Sequence, residues 1–425
     1  MRKPPVAEAT PPKTSRHLRP SDLRAGANLA VQATHGVTRI AEGVHQAVWG
    51  SMGVPGGVQP GHTRGLTGFV YRAVHAVTSL VGHALETAFT RLEPLLESLV
   101  DAPPETPERE AVLAALNGVL GDRLAQQHNP LATPMTLRLE GQALDWQTPV
   151  TPATGTALCN QVLILIHGLC MNDLQWRTQS SGPDALANDH GQMLAQALGC
   201  TAVYVRYNTG LHVSENGALL SAQLEELVAH WPVGLTELRV LAHSMGGLVT
   251  RSAVDHARQN KHQWPDKLKA IVFLGTPHHG APLERAGNWI DVVLGATPFS
   301  RPFAKLGQMR SAGITDLRYG YLLPSDWEGR DRFRRHPDQR THVPLPPGVA
   351  CFAVAATTAK LRSPLAARIL GDGLVPLDSA LGQHADPARC LPFPPHRQHI
   401  AFTTHHMALL SSPAVGSQVL QWLKN

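Results

Sequence analysis

Apolar residues follow a helical rhythm in the first 130 residues. They recur every three or four positions over Leu29–Val48, Leu66–Phe89 and Val112–Leu124, which predicts three amphipathic α-helices. Thr106 followed by Pro107 is a typical helix start for the third. No residue in this part suggests chemistry.

From Met135 onward, short apolar runs alternate with helical patterns. The predicted strands are Thr136–Glu140, Val162–Ile166, Ala202–Tyr207, Leu238–Ala242, Ala270–Leu274 and Val349–Ala355. The predicted helices are Ala187–Leu198, Ala218–His230, Gly247–Arg258 and Ser417–Leu423. Continuous apolar runs are typical of central parallel strands, and their alternation with helices favours a mostly parallel sheet covered by helices on both faces. The fold class is therefore α/β, preceded by an α-helical N-terminal segment.

Three segments follow from these patterns. Residues 1–24, rich in proline and basic side chains, have the composition of a disordered tail. Residues 25–130 form the helical segment, and residues 131–425 form the α/β domain. Around 282–347 the strand rhythm is interrupted, and Trp289–Leu294 is too apolar to face water freely. We expect a cap or lid there, although a long crossover packed on the core would share this pattern.

Composition and charge narrow the class of protein. Of the 425 residues, 43% are hydrophobic and 16% charged, and the net charge of +5 is not gathered into runs, so we expect no nucleic-acid partner. No apolar stretch is long enough to span a bilayer. Five cysteines without a CxxC pair indicate reduced thiols and a cytoplasmic protein. Peripheral membrane contact stays compatible with the sequence, which does not determine the oligomeric state.

A small-residue motif surrounds Ser244. The sequence from Ala242 to Gly247 reads Ala-His-Ser-Met-Gly-Gly, between a predicted strand and a predicted helix. In a strand–serine–helix turn, the positions two before and two after the serine must be small, as Ala242 and Gly246 are. His243, between Ala242 and Ser244, belongs to the same strand–serine–helix turn, called the nucleophile elbow. This pattern predicts a nucleophilic serine whose developing charge lies at a helix N-terminus.

A nucleophilic serine needs a base and an acid to orient that base. Asp372 lies between two glycines after the predicted strand 349–355, and His406 leads into the last apolar stretch. The order serine, acid, histidine is that of α/β-hydrolases. Asp378 and His405 are the fallback acid and base.

Backbone N–H groups are expected to stabilise the oxyanion. One donor should be Met245, which follows the serine, and the other should be Leu169. Leu169 lies in the loop that follows the strand ending at Ile166, where Gly168 permits a tight turn beside His167.

Five blocks in order resemble the signature blocks of lipase-type α/β-hydrolases. They are Ile166-His167-Gly168, Ala242–Gly247, Gly275-Thr276-Pro277-His278-His279-Gly280, Gly371-Asp372-Gly373 with Val375-Pro376, and His406. They are most similar to the branch of triacylglycerol lipases and PGAP1-like hydrolases, over about residues 135–425. The resemblance implies an α/β-hydrolase fold and esterase or lipase activity with a Ser244, Asp372 and His406 triad. Ala242 departs from the usual glycine, although bacterial lipases also carry alanine there.

Other functions compete with ester hydrolysis. The histidines 278, 279, 396, 399, 405 and 406 could suggest zinc, but no cysteine or carboxylate completes a ligand spacing. We therefore expect no metal and no cofactor, and an ester or lipid-like small molecule as substrate. A thioesterase or acyltransferase on the same triad, or a non-catalytic lipid- or protein-binding module, are the alternatives.

Overall fold

The computed structural model describes residue 105 and residues 107–153, 155, 157–177, 189–281, 311–331, 338–359 and 371–424. The predicted tail, the first two predicted helices and the apolar stretch Trp289–Leu294 lie outside the described residues. The described residues from 110 to 128 and from 132 to 424 form one compact unit, and those at 105, 107–109 and 129–131 are assigned to a second. The domain boundaries drawn from the sequence stay predictions.

Eight strands form one sheet in the described part of the chain. They are β1 (Thr136–Leu139), β2 (Gln142–Ala143), β3 (Gln161–Ile166), β4 (Thr201–Arg206), β5 (Glu237–His243), β6 (Leu268–Leu274), β7 (Ala350–Thr357) and β8 (Gln398–Phe402). Their order is β2-β1-β4-β3-β5-β6-β7-β8. β1 is antiparallel to β2 and β4, and all other neighbours are parallel. The six predicted strands are confirmed. The hydrophobic pattern did not predict β2 and β8, because both strands are short, lie at the sheet edges and carry polar residues.

The described residues also contain α-helices, most of which lie between strands. They are α1 (Pro107–Gln126), α2 (His190–Leu198), α3 (Val213–His230), α4 (Met245–Asn260), α5 (Ala312–Tyr319), α6 (Pro324–Trp327), α7 (Leu377–Ala380) and α8 (Pro413–Lys424). The prediction is confirmed for α1 to α4 and for α8. Helices α5 and α6 lie within the predicted insertion. None of the described helices combines the length and apolar character needed to cross a membrane.

Alternation along the strands divides the core between the two faces of the sheet. Leu163 and Leu165 of β3 share one cluster with Leu194 of α2 and Val419 of α8. Ile166, whose side chain points to the other face, lies against Gly246 of α4, and α3 packs on α4. Both faces of the sheet are therefore covered, as predicted.

The parallel strands β3 to β8 end at the same edge of the sheet. With this strand order, helices on both faces, and a sharp turn from β5 into α4, the chain has the α/β-hydrolase fold. Loops that follow the carboxyl ends of these strands gather at one edge, which is where open α/β sheets place their ligand sites.

Helix α1 packs on this domain through a buried charge network. Nη1 of Arg206 in β4 lies 2.8 Å from Oε2 of Glu110 in α1, and Nε of Arg206 also pairs with Asp173. Arg138 of β1 pairs with the same aspartate at 3.4 Å. A buried charge is tolerated only when it is paired, so this network ties α1 to β4 and to the loop after β3.

Candidate active site at the carboxyl edge of the sheet

Ser244 occupies the strained turn that the sequence predicts. It lies between β5 and α4 with φ 54° and ψ −124°, and its N–H donates to the Leu274 carbonyl at 2.8 Å. A non-glycine residue with such a backbone costs about 1–3 kcal/mol. A Cβ on Gly246 would come within 2.6 Å of the Ile166 carbonyl oxygen. Glycine at this position is thus required for β3 and α4 to approach, and the turn holds the serine at the sheet edge.

Asp372 lies in a tight loop before α7. Both flanking glycines have positive φ, 47° for Gly371 and 92° for Gly373. Oδ1 of Asp372 accepts the N–H groups of Leu374 at 2.9 Å and Val375 at 2.7 Å. Asp372 is 2% exposed, and these bonds fix the orientation of its carboxylate.

His406 meets Asp372 through both backbone and side chain. Its Nδ1 lies 2.6 Å from Oδ2 of Asp372, and its N–H donates to the Asp372 carbonyl at 3.1 Å. His406 is 3% exposed. When Nδ1 carries the proton shared with the carboxylate, Nε2 is the free acceptor nitrogen. The pair therefore supplies an oriented base.

Ser244 and His406 open onto the same small cleft. Apart from these two residues and His243, its lining is apolar and consists of Leu169, Met171, Ala281, Leu317, Leu374, Val375 and Met407. Gly275, at the end of β6, leaves room for the base, since a Cβ there would lie 3.2 Å from the His406 ring. The structure thus brings two of the predicted triad residues to one cleft and pairs the third with His406.

The two predicted oxyanion donors flank this serine. Leu169 lines the cleft, and its N–H donates no hydrogen bond to another described residue. Met245 is the first residue of α4, a position whose N–H has no intrahelical partner. Gly168 allows the loop to approach the elbow, because a Cβ there would lie 3.0 Å from Cβ of Ser244.

Two buried histidines support the site without facing water. Nε2 of His243 lies 3.3 Å from the carbonyl oxygen of His406, and Nδ1 of His167 lies 2.9 Å from that of Gly168. Burial lowers the pKa of His167 to about 4 and the pKa of His243 well below its usual value. Both rings are therefore neutral near pH 7. Ala242 is fully buried at the end of β5, as expected for the elbow.

The fallback residues lie elsewhere. Asp378 is in α7, and the exposed His405 uses Nδ1 to accept the N–H of Ala408 at 3.3 Å. Neither lines the cleft. The other histidines face separate partners, with His278 against Arg251 and His279 against the Gly382 carbonyl. Within the described ranges, no group of three or more His, Cys, Asp or Glu side chains is arranged to hold a metal.

Part of the lining comes from residues to which the sequence analysis assigned no role. Leu317 belongs to α5, within the predicted insertion, and Met407 follows the base. Both are ordinary apolar residues in sequence. Only the tertiary fold brings Leu317 of α5 to the cleft that Ser244 lines, so no local pattern could have assigned it to the site.

Comparison with known proteins adds modest similarities. Residues 133–317, fewer than half of the chain, match a family model described as "Domain of unknown function (DUF7379)". No curated protein matches the chain in sequence.

Similar solved structures are distant. A lipase of Bacillus licheniformis in its mature form is 18% identical, with a TM-score of 0.39 over 68% of this chain and 98% of that one. An esterase of Pyrococcus furiosus is 15% identical, with a TM-score of 0.35 over 62% and 81%. An esterase of Pyrobaculum calidifontis is 13% identical, with a TM-score of 0.35 over 62% and 74%. These values are low, so the function of the site rests on its own geometry.

Proposed function

We propose that this protein is a serine hydrolase of carboxylic esters, with Ser244 as nucleophile, His406 as base and Asp372 as the orienting acid. The observation that carries the proposal is the buried 2.6 Å pair between Asp372 and His406, together with a cleft that His406 shares with Ser244 at the elbow. A strained serine beside an oriented imidazole is the arrangement that acyl transfer needs.

In the first half-reaction, the Ser244 hydroxyl attacks the ester carbonyl and Nε2 of His406 takes its proton. The tetrahedral oxyanion accepts hydrogen bonds from the N–H groups of Leu169 and Met245. Asp372 stabilises the imidazolium, which then gives its proton to the departing alcohol. Water enters by the same route and releases the acid and free Ser244.

The cleft favours an uncharged, apolar substrate. Its described lining carries no Lys, Arg, Asp or Glu, so an ionic group next to the ester would lose hydration without gaining a partner. Each CH₂ buried against this lining could contribute about 0.8 kcal/mol. We therefore propose a lipid-like ester. The five described cysteines are free thiols, which supports our proposal of a cytoplasmic location.

The test is a series of p-nitrophenyl esters, from acetyl to palmitoyl, with wild-type protein and Ser244→Ala. We expect hydrolysis that falls by several orders of magnitude in the variant, and labelling of wild type alone by a fluorophosphonate. Equal labelling of both proteins would remove Ser244 from the mechanism. A folded wild type that neither hydrolyses esters nor reacts with the probe would favour the non-catalytic module.

The same proteins separate ester hydrolysis from its two enzymatic alternatives. Faster turnover of acyl-CoA than of the oxygen ester would identify a thioesterase. Transfer of the acyl group to an added alcohol in preference to water would identify an acyltransferase. Both reactions would still require Ser244.

A further inference from the structure

The loop that carries Leu169 is fixed by hydrogen bonds at His167, before Leu169, and at Cys170, after it. The hydroxyl of Tyr207 donates to the His167 carbonyl at 2.8 Å, and the N–H of Cys170 donates to Oγ1 of Thr209 at 3.1 Å. Cys170 has a φ of 57°, an unfavourable backbone for a residue with a side chain. The position of the Leu169 N–H thus depends on contacts that keep this loop in place.

Helix α1 forms the other side of this support. Gly118 lies so close to Cys170 that a Cβ on Gly118 would come within 2.1 Å of the Cys170 Sγ and 3.0 Å of its Cα. Two residues further along the loop, Nδ2 of Asn172 donates to the carbonyl of Glu110 in α1 at 3.0 Å. The helix therefore contacts the loop directly.

The composition of α1 fits this contact. A glycine in a helix interior costs roughly 1 kcal/mol relative to alanine, yet Gly118 and Gly121 lie three residues apart on one face. A Cβ on Gly121 would come within 1.8 Å of Oδ1 of Asn208, a residue that precedes Thr209. Both glycines thus allow close approach to the two loops beside the catalytic edge.

We propose that α1 is a positioning element of the active site, and that the contact between Gly118 and Cys170 sets where the Leu169 N–H meets the oxyanion. The inference rests on the proposed function, since it takes Leu169 as an oxyanion donor. It gives the N-terminal helix a role in the reaction, although no residue of α1 touches the substrate.

A double-mutant cycle on Gly118→Ala and Cys170→Gly tests this contact in the full chain. The new methyl group in Gly118→Ala would clash with Sγ of Cys170 and lie 3.0 Å from its Cα, so both the Cys170 side chain and the loop backbone must shift. A misplacement that approaches about 1 Å could cost about 10²-fold in rate. We expect kcat per active site to fall about 10- to 100-fold, with KM little changed. Cys170→Gly removes the clashing Sγ and accepts the positive φ, so adding Gly118→Ala to it should cost less than about threefold.

Two readouts separate positioning from general damage. Titration with a fluorophosphonate counts competent sites, so a loss of folded protein does not enter kcat. A trifluoromethyl ketone forms an oxyanion on the serine, and its Ki should rise in Gly118→Ala by the same factor by which kcat/KM falls. Gly416→Ala in α8 is the matched control, since the three atoms nearest to its Cβ would all belong to side chains, with Cε of Met193 nearest at 2.9 Å. It should change the midpoint of thermal unfolding more than kcat.

The inference is wrong if Gly118→Ala keeps wild-type kcat per site, or if Cys170→Gly does not restore the loss. If Gly118→Ala does not fold, the variant Asn172→Asp tests the same support of the loop by α1. Aspartate still accepts the Leu174 N–H but no longer donates to the Glu110 carbonyl. An unchanged Ki and kcat in that folded variant would likewise overturn the proposal. A fully active Ser244→Ala would instead overturn the proposed function itself, so the two failures are distinguishable.

Discussion

Replacing Asp372 with asparagine tests the acid–base pair without changing its shape. Oδ1 of Asp372 accepts two backbone N–H groups, and Oδ2 meets Nδ1 of His406. An asparagine must keep its oxygen toward the two N–H donors, because its amide would otherwise face them donor to donor. Its NH₂ group therefore points at Nδ1 of His406 and donates to it.

That hydrogen bond selects the tautomer with the proton on Nε2, which cannot accept the proton of Ser244. By analogy with a serine protease triad, kcat should fall by about 10⁴, equivalent to about 5 kcal/mol of transition-state stabilisation. The free energy of unfolding should change by only about 1–2 kcal/mol, since both backbone bonds persist.

The assay compares kcat of Asp372→Asn with that of Asp378→Asn, each normalised to folded protein by circular dichroism and urea unfolding. Asp378, six residues further along the chain, does not line the cleft, and we expect its variant to keep near wild-type kcat. If Asp372→Asn stayed active and Asp378→Asn lost activity, the roles assigned to these two carboxylates would be wrong.

Three further predictions concern stability and selectivity. The folded-state pKa of His167, about 4, lies below the unfolded value of about 6.5, so the stability that this buried neutral ring contributes is full above about pH 6.5 and is lost as the pH falls. From this group, urea unfolding should show about 2 kcal/mol less stability at about pH 5 than at about pH 8. A free energy of unfolding that stays constant between these pH values would contradict the prediction. Arg206→Met removes the cation that Glu110 and Asp173 share and leaves Arg138 as the ion-pair partner of Asp173. It should cost about 3–5 kcal/mol in urea unfolding, whereas a loss under about 1 kcal/mol would show that the network is dispensable. Leu317→Ala should enlarge the cleft and shift the preferred acyl chain to longer or bulkier esters, and an unchanged p-nitrophenyl ester profile would place the chain elsewhere.

The turns of the site can be predicted from the sequence, because steric requirements restrict which residues can occupy them. The elbow requires small residues around Ser244, and Ala242 and Gly246 meet that need within five positions. Likewise, the glycines around Asp372 mark a loop that needs positive φ on both sides, and the structure has it. Buried parallel strands require unbroken apolar runs, so the main strands and the α/β class could be predicted.

The choice between neighbouring candidates needed the tertiary structure. Asp372 and Asp378, or His406 and His405, are equivalent in residue type and nearly so in position along the chain. In the structure, Asp372 is oriented by two backbone N–H groups and meets His406 at 2.6 Å, whereas His405 is exposed and caps the following turn. The direction of a side chain in an irregular loop depends on such contacts. They leave no repeating pattern of residues in the sequence from which they could be predicted.

The sequence by itself determined the fold class and the nucleophile turn, because each depends on the pattern of residues close together in the chain. The order of the candidate triad residues along the chain could likewise be read from it. Only the tertiary structure decided which acid meets which base, that Leu317 lines the cleft, and that Gly118 supports the loop of Leu169 from α1. Those contacts join residues tens to hundreds of positions apart. They depend on how strands order in the sheet and how helices pack on it, and no local pattern of apolar and polar residues specifies either.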